Sequence, residues 1–272
     1  MHARGNRSVV GYSDLMDINL LVLNIGNSRL AVGAFSRGQL EYSTRIPLDQ
    51  RSDWPGKIAA AWSRIADCDD ADIAAAAVNA PLIEAVEHAA HQSTGKSVQW
   101  VGREIGLPIK VLTEDPSKTG VDRVLNIAAA YEQMQKACVV VDAGTAITID
   151  CCNDQGDFLG GAIAAGVGIC LDGLHKRASA LPQVELEAPT QVFGRSTQQA
   201  ILNGIHHGVR GMVKELVENY ATELGHWPDI IATGGDAAKL FDGWEMVHAI
   251  APDLTLYGIA LAYTEHHIKH GT

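Results

Sequence analysis

Leu21 to Phe35 reads LVLNIGNSRLAVGAF, and Val139 to Cys152 reads VVVDAGTAITIDCC. Each is an apolar strand, a polar residue, a glycine two positions on, small hydroxyl or amide residues, and a second strand. Alignment sets Asn24 against Asp142, Gly26 against Gly144 and Asn27 against Thr145, so one copy carries an amide where the other carries a carboxylate. The repetition predicts two lobes built on one plan, at residues 17–135 and 136–272. A turn of small residues between strands presents backbone N–H groups and hydroxyls that suit a phosphate, and Gly26 and Gly144 keep side chains out of that approach. Either turn alone is an ordinary hairpin. The pair, followed by a third glycine turn after a strand at Ile230-Ile231-Ala232-Thr233-Gly234-Gly235, points to one nucleotide gripped from two sides.

Composition narrows the classes. The 272 residues are 47% apolar, enough for a sizeable core in one large or two medium domains. The 32 Asp and Glu outnumber the 21 Lys and Arg, and the net charge of -11 opposes binding to nucleic acid or anionic lipid without a local basic patch. The five cysteines, Cys68, Cys138, Cys151, Cys152 and Cys170, show no C-x-x-C spacing and sit mostly in apolar segments, which predicts buried reduced thiols and a cytoplasmic protein. No apolar run reaches the roughly 18 residues of a membrane span. Residues 1–16 are polar and aperiodic, and read as a flexible extension or a misassigned start, with Met16 just before the first strand.

Along the chain, strand signals at Asn19 to Leu23, Leu30 to Phe35 and Leu40 to Arg45 are punctuated by Gly33 and Gly38. A helix over Trp54 to Ile65 behind a Ser52 cap, a buried strand at Ile73 to Val78 and a helix from Pro81 to His91 follow. Val124 to Gln135 is helical. The second copy continues with a turn at Asn153 to Asp157, a glycine-rich passage from Gly160 to Gly166, helices at Ile169 to Ala180 and Thr197 to Leu224, a strand at Asp229 to Ala232, a helix at Ala237 to Phe241 and a last helix from about Thr255. Hairpins followed by alternating strand and helix, twice over, define an α/β chain.

Gly120-Val121-Asp122-Arg123 opens a helix between the two copies. Asp122 there can accept a proton from a hydroxyl and Arg123 can steady an anion or a transferring phosphoryl group. By itself the tetrapeptide reads more readily as a capping Asp beside a solvated Arg, and its position between the two loops is what favours the chemical reading. His266 and His270 stand at i and i+4 on the last helix, a spacing open to a metal or to a solvated helix end. His206 and His207 open no recognisable ligand set, and Asp67, Asp69, Asp70 and Asp72 read as a solvated loop.

Two phosphate loops and a late Gly-Gly turn resemble the actin, sugar kinase and Hsp70 ATPase superfamily. That resemblance implies two duplicated ribonuclease H-like lobes with a nucleotide cleft between them. At Gly120 to Arg123 it narrows to the type III pantothenate kinases. The ordered motifs are Asn24-Ile-Gly26-Asn27-Ser28, Gly120-Val-Asp122-Arg123, Asp142-Ala-Gly144-Thr145, Gly160-Gly161 to Gly166, Gly194-Arg-Ser-Thr197 and Thr233-Gly234-Gly235, spread over about residues 18 to 265. The resemblance implies ATP-dependent phosphorylation of pantothenate to 4'-phosphopantothenate, the first step of coenzyme A biosynthesis, by a cytoplasmic homodimer using Mg²⁺ and K⁺ or NH₄⁺. It further implies that Asn24, Ile25, Gly26, Asn27, Ser28, Arg29, Leu30, Ala31 and Thr145 contact ATP, and that Asp122 is the general base. Thr113, Gly120, Val121, Asp122, Arg123 and Thr197 would contact pantothenate, Thr197 across the dimer, and Asp142 would hold the monovalent cation.

Two positions depart from the family pattern. Asn24 replaces the first-loop Asp, keeping a carbonyl oxygen and losing the charge that holds Mg²⁺ or its waters. Thr113 replaces a Tyr seven residues before the Gly-x-Asp-Arg motif. Ser28 for Thr keeps the hydroxyl. These departures leave two other readings open: a catalytically weakened nucleotide-binding regulator, and a kinase for another small hydroxylated substrate.

Overall fold

The computed structural model describes residues 17–270; the expected extension over residues 1–16 lies outside them. Internal contacts divide the chain into two units, Met1–Gln133 with Asp253–Thr272, and Met134–Pro252.

In the first unit β1 (Leu20–Ile25), β2 (Arg29–Ser36) and β3 (Gln39–Pro47) form an antiparallel meander. β4 (Asp72–Ala77) runs parallel beside β1, and the short β5 (Gln99–Trp100) parallel beside β4, giving the order β3-β2-β1-β4-β5. Leu21, Leu23 and Ile25 of β1 share one core with Ile58 of α1 (Trp54–Trp62) and Val86 of α2 (Ile83–Thr94). Strand alternation puts Leu20 and Val22, also fully buried, on the opposite face. α3 (Val121–Met134) closes this stretch of chain.

The second unit repeats the plan. β6 (Cys138–Ala143), β7 (Ala146–Cys152) and β8 (Phe158–Ala165) are antiparallel, while β9 (Asp229–Thr233) and β10 (Ala249–Ile250) continue in parallel, in the order β10-β9-β6-β7-β8. Read from its other end, this is the first sheet with each strand replaced by its counterpart. Val141 and Ile149 pack with Leu171 of α4 (Val167–Arg177), Val213 and Val217 of α5 (Thr197–Leu224) and Leu240 of α6 (Ala237–Phe241).

Four local expectations change. The glycine-rich passage, given no element by its sequence, is a strand: residues 158–165 form the edge strand β8, and Gly161 lies so close over Asp150 and Ile149 of β7 that any side chain would overlap them. Gly33 is no punctuation mark but mid-strand in β2. Ser52 does not cap α1, whose N-cap is Asp53 with Pro55 in the first turn. α3 starts at Val121, so Asp122 and Arg123 stand inside its first turn.

The expected division at residues 17–135 and 136–272 is also corrected. α7 (Leu254–His270) follows the second unit in sequence but packs on β1, β2 and β4 of the first. Its apolar residues need a face to cover, and β2 makes room for them at Gly33, where an added Cβ would stand 2.9 Å from a Leu256 methyl. Polar ties fasten it: Arg45 pairs with Asp253 at 2.9 Å, and the Tyr263 hydroxyl donates to Asp72 at 3.1 Å.

Candidate active site

In the first loop the Gly26 N–H donates to the Arg29 carbonyl at 3.0 Å, closing the turn, and Asn27, Ser28 and Arg29 are exposed. Ile25 and Leu30 are fully buried, so any contact they make with a phosphate runs through the backbone. Asn24 pairs with Ala31 on one side and Ala76 on the other, at the end of β1. Its Oδ1 is buried and has no hydrogen-bond partner. An orphaned acceptor beside a phosphate-type turn costs stability in the free protein and is a hard oxygen open to a ligand.

The second loop is more heavily built. The Gly144 N–H donates to the Ala146 carbonyl at 3.0 Å, and the Gly166 N–H to the Thr145 carbonyl at 3.1 Å. The Asp236 N–H donates to the Ala143 carbonyl at 3.0 Å. Gly234, at φ +94°, rests against that same carbonyl, and a Cβ on it would stand 2.5 Å from Asp142 Oδ1. Tertiary structure thus gathers three separate glycine motifs, at Gly144, Gly166 and Gly234, around Asp142 and Thr145. Asp142 is half-buried and Thr145 exposed.

Gly120 to Arg123 forms its own cluster. The Arg123 N–H lies 3.1 Å from the Gly120 carbonyl and 2.8 Å from Asp122 Oδ1, both of which accept from it. A Cβ on residue 120 would come within 2.8 Å of the same carboxylate oxygen, so a side chain there would press on the Asp122 carboxylate. Burial raises the Asp122 pKa above the usual carboxylate range, and the Arg123 N–H and guanidinium offset only part of that. A half-buried carboxylate with raised basicity, one residue from a guanidinium, is equipped to accept a proton from a hydroxyl whose neighbour carries negative charge. The Thr113 hydroxyl lies 2.8 Å from that of Thr119, fastening the loop that leads into Gly120.

Thr197 belongs to the second unit. It is the first residue of α5, exposed, after Ser196, whose hydroxyl accepts from the Gln199 N–H at 3.2 Å. Gly194 abuts the Ala200 backbone, so a side chain there would collide with the helix start. Ser196 and Gln199 border a polar cavity of about 220 Å³ shared with Glu187 and Asn203.

The weaker candidates resolve into structure. The His266 and His270 rings lie tilted against one another with centroids 4.3 Å apart, and among the described residues no group of three or more His, Cys, Asp or Glu is placed to hold a metal. His206 is a buried core histidine on α5, held below the ordinary imidazole range by burial and by Arg210. The acidic loop is not simply solvated: Asp70 accepts from Asn19, and Asp72 from Gln99 and Tyr263. Cys138 and Cys152 lie 3.4 Å apart as buried thiols, and burial pushes the Cys151 thiol up to about 12.

The family model of type III pantothenate kinase matches residues 20–219. The chain belongs to the type III pantothenate kinase family. A type III pantothenate kinase of Syntrophotalea carbinolica is 34% identical over 249 residues, covering 90% of this chain and 98% of that relative. The family is one of kinases, and the chain is an enzyme of that class. Among solved structures, component A of the (R)-2-hydroxyglutaryl-CoA dehydratase of Acidaminococcus fermentans matches with a TM-score of 0.53 at 14% identity, covering 94% of this chain and all 100% of that one. Ta0583, an archaeal actin homolog, matches with a TM-score of 0.50 at 12% identity, covering 94% of this chain and 100% of its own. These distant likenesses establish the actin-like ATPase fold, with its two duplicated sheets.

Proposed function

We propose that this kinase transfers the γ-phosphoryl group of ATP to the hydroxyl of pantothenate, forming 4'-phosphopantothenate for coenzyme A biosynthesis, with Asp122 as the proton acceptor. The observation that carries this reading is the half-buried carboxylate of Asp122 in the first turn of α3, its basicity raised and Gly120, two residues before it, leaving room for its Oδ1. Asp122 takes the hydroxyl proton as the oxygen attacks the γ-phosphorus, and Arg123 steadies the substrate or the transferring group. Backbone N–H groups of the Asn24 to Ala31 segment, with Thr145, hold the phosphates. Gly120, Val121 and Thr113 shape the pantothenate end.

The donors fit the two ions the family uses. Asn24 offers a buried, unpartnered amide oxygen, suited to Mg²⁺ or to one of its waters, while the nucleotide's own phosphates supply the charge. Mg²⁺ neutralises charge on the phosphates when bound. Asp142, ringed by the carbonyl-rich turns of the second loop, offers the oxygen donors that suit K⁺ or NH₄⁺. A homodimer is supported by the apolar side chains that the second unit leaves exposed, Leu159 and Ile163 on β8 and Ile169 on α4, with Phe193 in the connection that follows. Thr197 would then serve the partner's substrate. Free cysteines suit the cytoplasm, and no helix among the described residues is long and apolar enough to cross a membrane.

One assay tests both the activity and the Asn24 departure. Purified protein with ATP, Mg²⁺, K⁺ and pantothenate should release ADP and 4'-phosphopantothenate. Asn24→Asp should lower the Mg²⁺ concentration for half-maximal rate by roughly tenfold, the scale of one contact made charge-assisted. No product from either form would leave the regulatory reading standing, and product from other hydroxylated acceptors alone would favour a different substrate.

A further inference from the structure

α3 carries an unusual burial pattern. Val124 through Ala130 are all buried, seven consecutive positions that together face every side of the helix. A helix apolar on all sides is held by packing that is the same in kind around its whole circumference, so a directional bond adds a definition of rotation and axial register that non-directional contacts share out over many atoms. The one polar member of the run is Asn126, only 2% exposed. Its Oδ1 accepts from the hydroxyl of Thr255, in the first turn of α7, at 2.7 Å. This bond, between groups 129 residues apart in sequence, is a directional contact that favours one orientation of the helix. Asn126 lies one turn beyond Asp122, at i+4, so both side chains project on the same face of α3.

α7 is itself firmly held where it makes this bond. The Leu256 N–H donates to the Asp253 carbonyl at 2.9 Å, and the Asp253 side chain pairs with Arg45. Gly258, one turn into the helix, sits against the Leu125 carbonyl of α3 so closely that no side chain would fit there. Two points of α7 therefore grip α3, one steric and one directional, both next to Asn126.

We propose that Thr255 and Asn126 are positioning residues for phosphoryl transfer, their hydrogen bond fixing the rotation of α3 and with it the place of the Asp122 carboxylate at the substrate hydroxyl. The proposal rests on the reading of Asp122 as proton acceptor. Misplacing a reacting group by about 1 Å costs on the order of a hundredfold in rate, so loosening of a fraction of that matters.

The experiment compares wild type, Thr255→Val, Thr255→Ser and Asp122→Asn by kcat, KM and the pH profile of kcat/KM with pantothenate, alongside thermal unfolding. Thr255→Val keeps shape and removes the hydroxyl; kcat should fall roughly tenfold with the KM for ATP little changed. The acid limb of its profile should move to lower pH, because a loosened Asp122 becomes better hydrated and less basic. Thr255→Ser, which keeps the hydroxyl, should restore kcat to within about twofold of wild type and return the limb to its wild-type position. Should Thr255→Val fail to fold, Asn126→Ser, which shortens the acceptor, should give the same limb shift. A fall that scales the whole profile without moving the limb means a structural role only and overturns the proposal, as does wild-type behaviour of Thr255→Val beside an inactive Asp122→Asn. Wild-type activity of Asp122→Asn overturns the base assignment instead, whatever Thr255→Val does.

Discussion

Asp122→Asn should lower kcat/KM for pantothenate by about 10² to 10⁴, the usual contribution of a positioned general base, and should raise thermal stability at neutral pH. The two effects share one cause. Burial raises the carboxyl pKa in the folded protein above its unfolded value, so between those two values the folded state holds a proton that the unfolded state has released. Stability therefore falls as pH rises through that window, and above it the ionised half-buried carboxylate is a standing cost. Asn removes the cost while its Oδ1 still accepts from the Arg123 N–H, now 2.8 Å from Asp122 Oδ1. Below the ordinary carboxylate range, where both forms are neutral, the stability difference should vanish. With Asp122 as the proposed proton acceptor the rate requires the ionised form, so kcat/KM should fall with decreasing pH through a value above the roughly 3.9 of an ordinary Asp. Calorimetry and a pH-rate profile check the two halves; a variant both inactive and less stable at neutral pH would contradict the burial account.

Gly234→Ala should destabilise the protein by about 2–5 kcal/mol, combining the αL penalty of a residue with Cβ and the overlap it creates. The residue stands at φ +94°, and the new methyl would meet Asp142 Oδ1 and the Ala143 carbonyl, whose carbon and oxygen are backbone and cannot swing away. Because Asp142 is the proposed monovalent-cation ligand, surviving folded protein should also need more K⁺ for half-maximal rate. Gly211 on α5 is the control, since a Cβ there meets nothing within 4 Å. Gly211→Ala should stabilise by roughly 0.5–1 kcal/mol through lost unfolded-state freedom. Urea unfolding of both variants reads the contrast, and equal midpoints would refute the close-approach argument.

Much of this was legible in the chain itself. The hairpins at Leu21 to Phe35 and Val139 to Cys152 declare themselves because strand alternation and glycine turns are local signals, and their repetition foretells two sheets of one topology. The Gly120 to Arg123 motif and the departure at Asn24 are likewise local. β8 was not legible, because Gly160 and Gly161 weaken a strand signal, and only the approach to Asp150 explains Gly161 and a φ of +129° Gly160. The membership of α7 in the first unit was hidden for another reason. Buried residues run almost continuously from Leu254 to Thr264, which says that the helix is covered without saying by what.

The amino-acid sequence by itself determined the duplicated α/β plan, the family, and the residue types available for phosphoryl transfer, since each is written in short contiguous patterns. Tertiary structure alone decided how those residues are conditioned. It brought Gly166 and Gly234 onto the Asp142 loop, left the Asn24 oxygen without a partner, raised the basicity of Asp122 by burial, and joined Asn126 to Thr255. Burial and directional contact between distant segments are properties of packed surfaces, and no local pattern encodes which surface a given helix will meet.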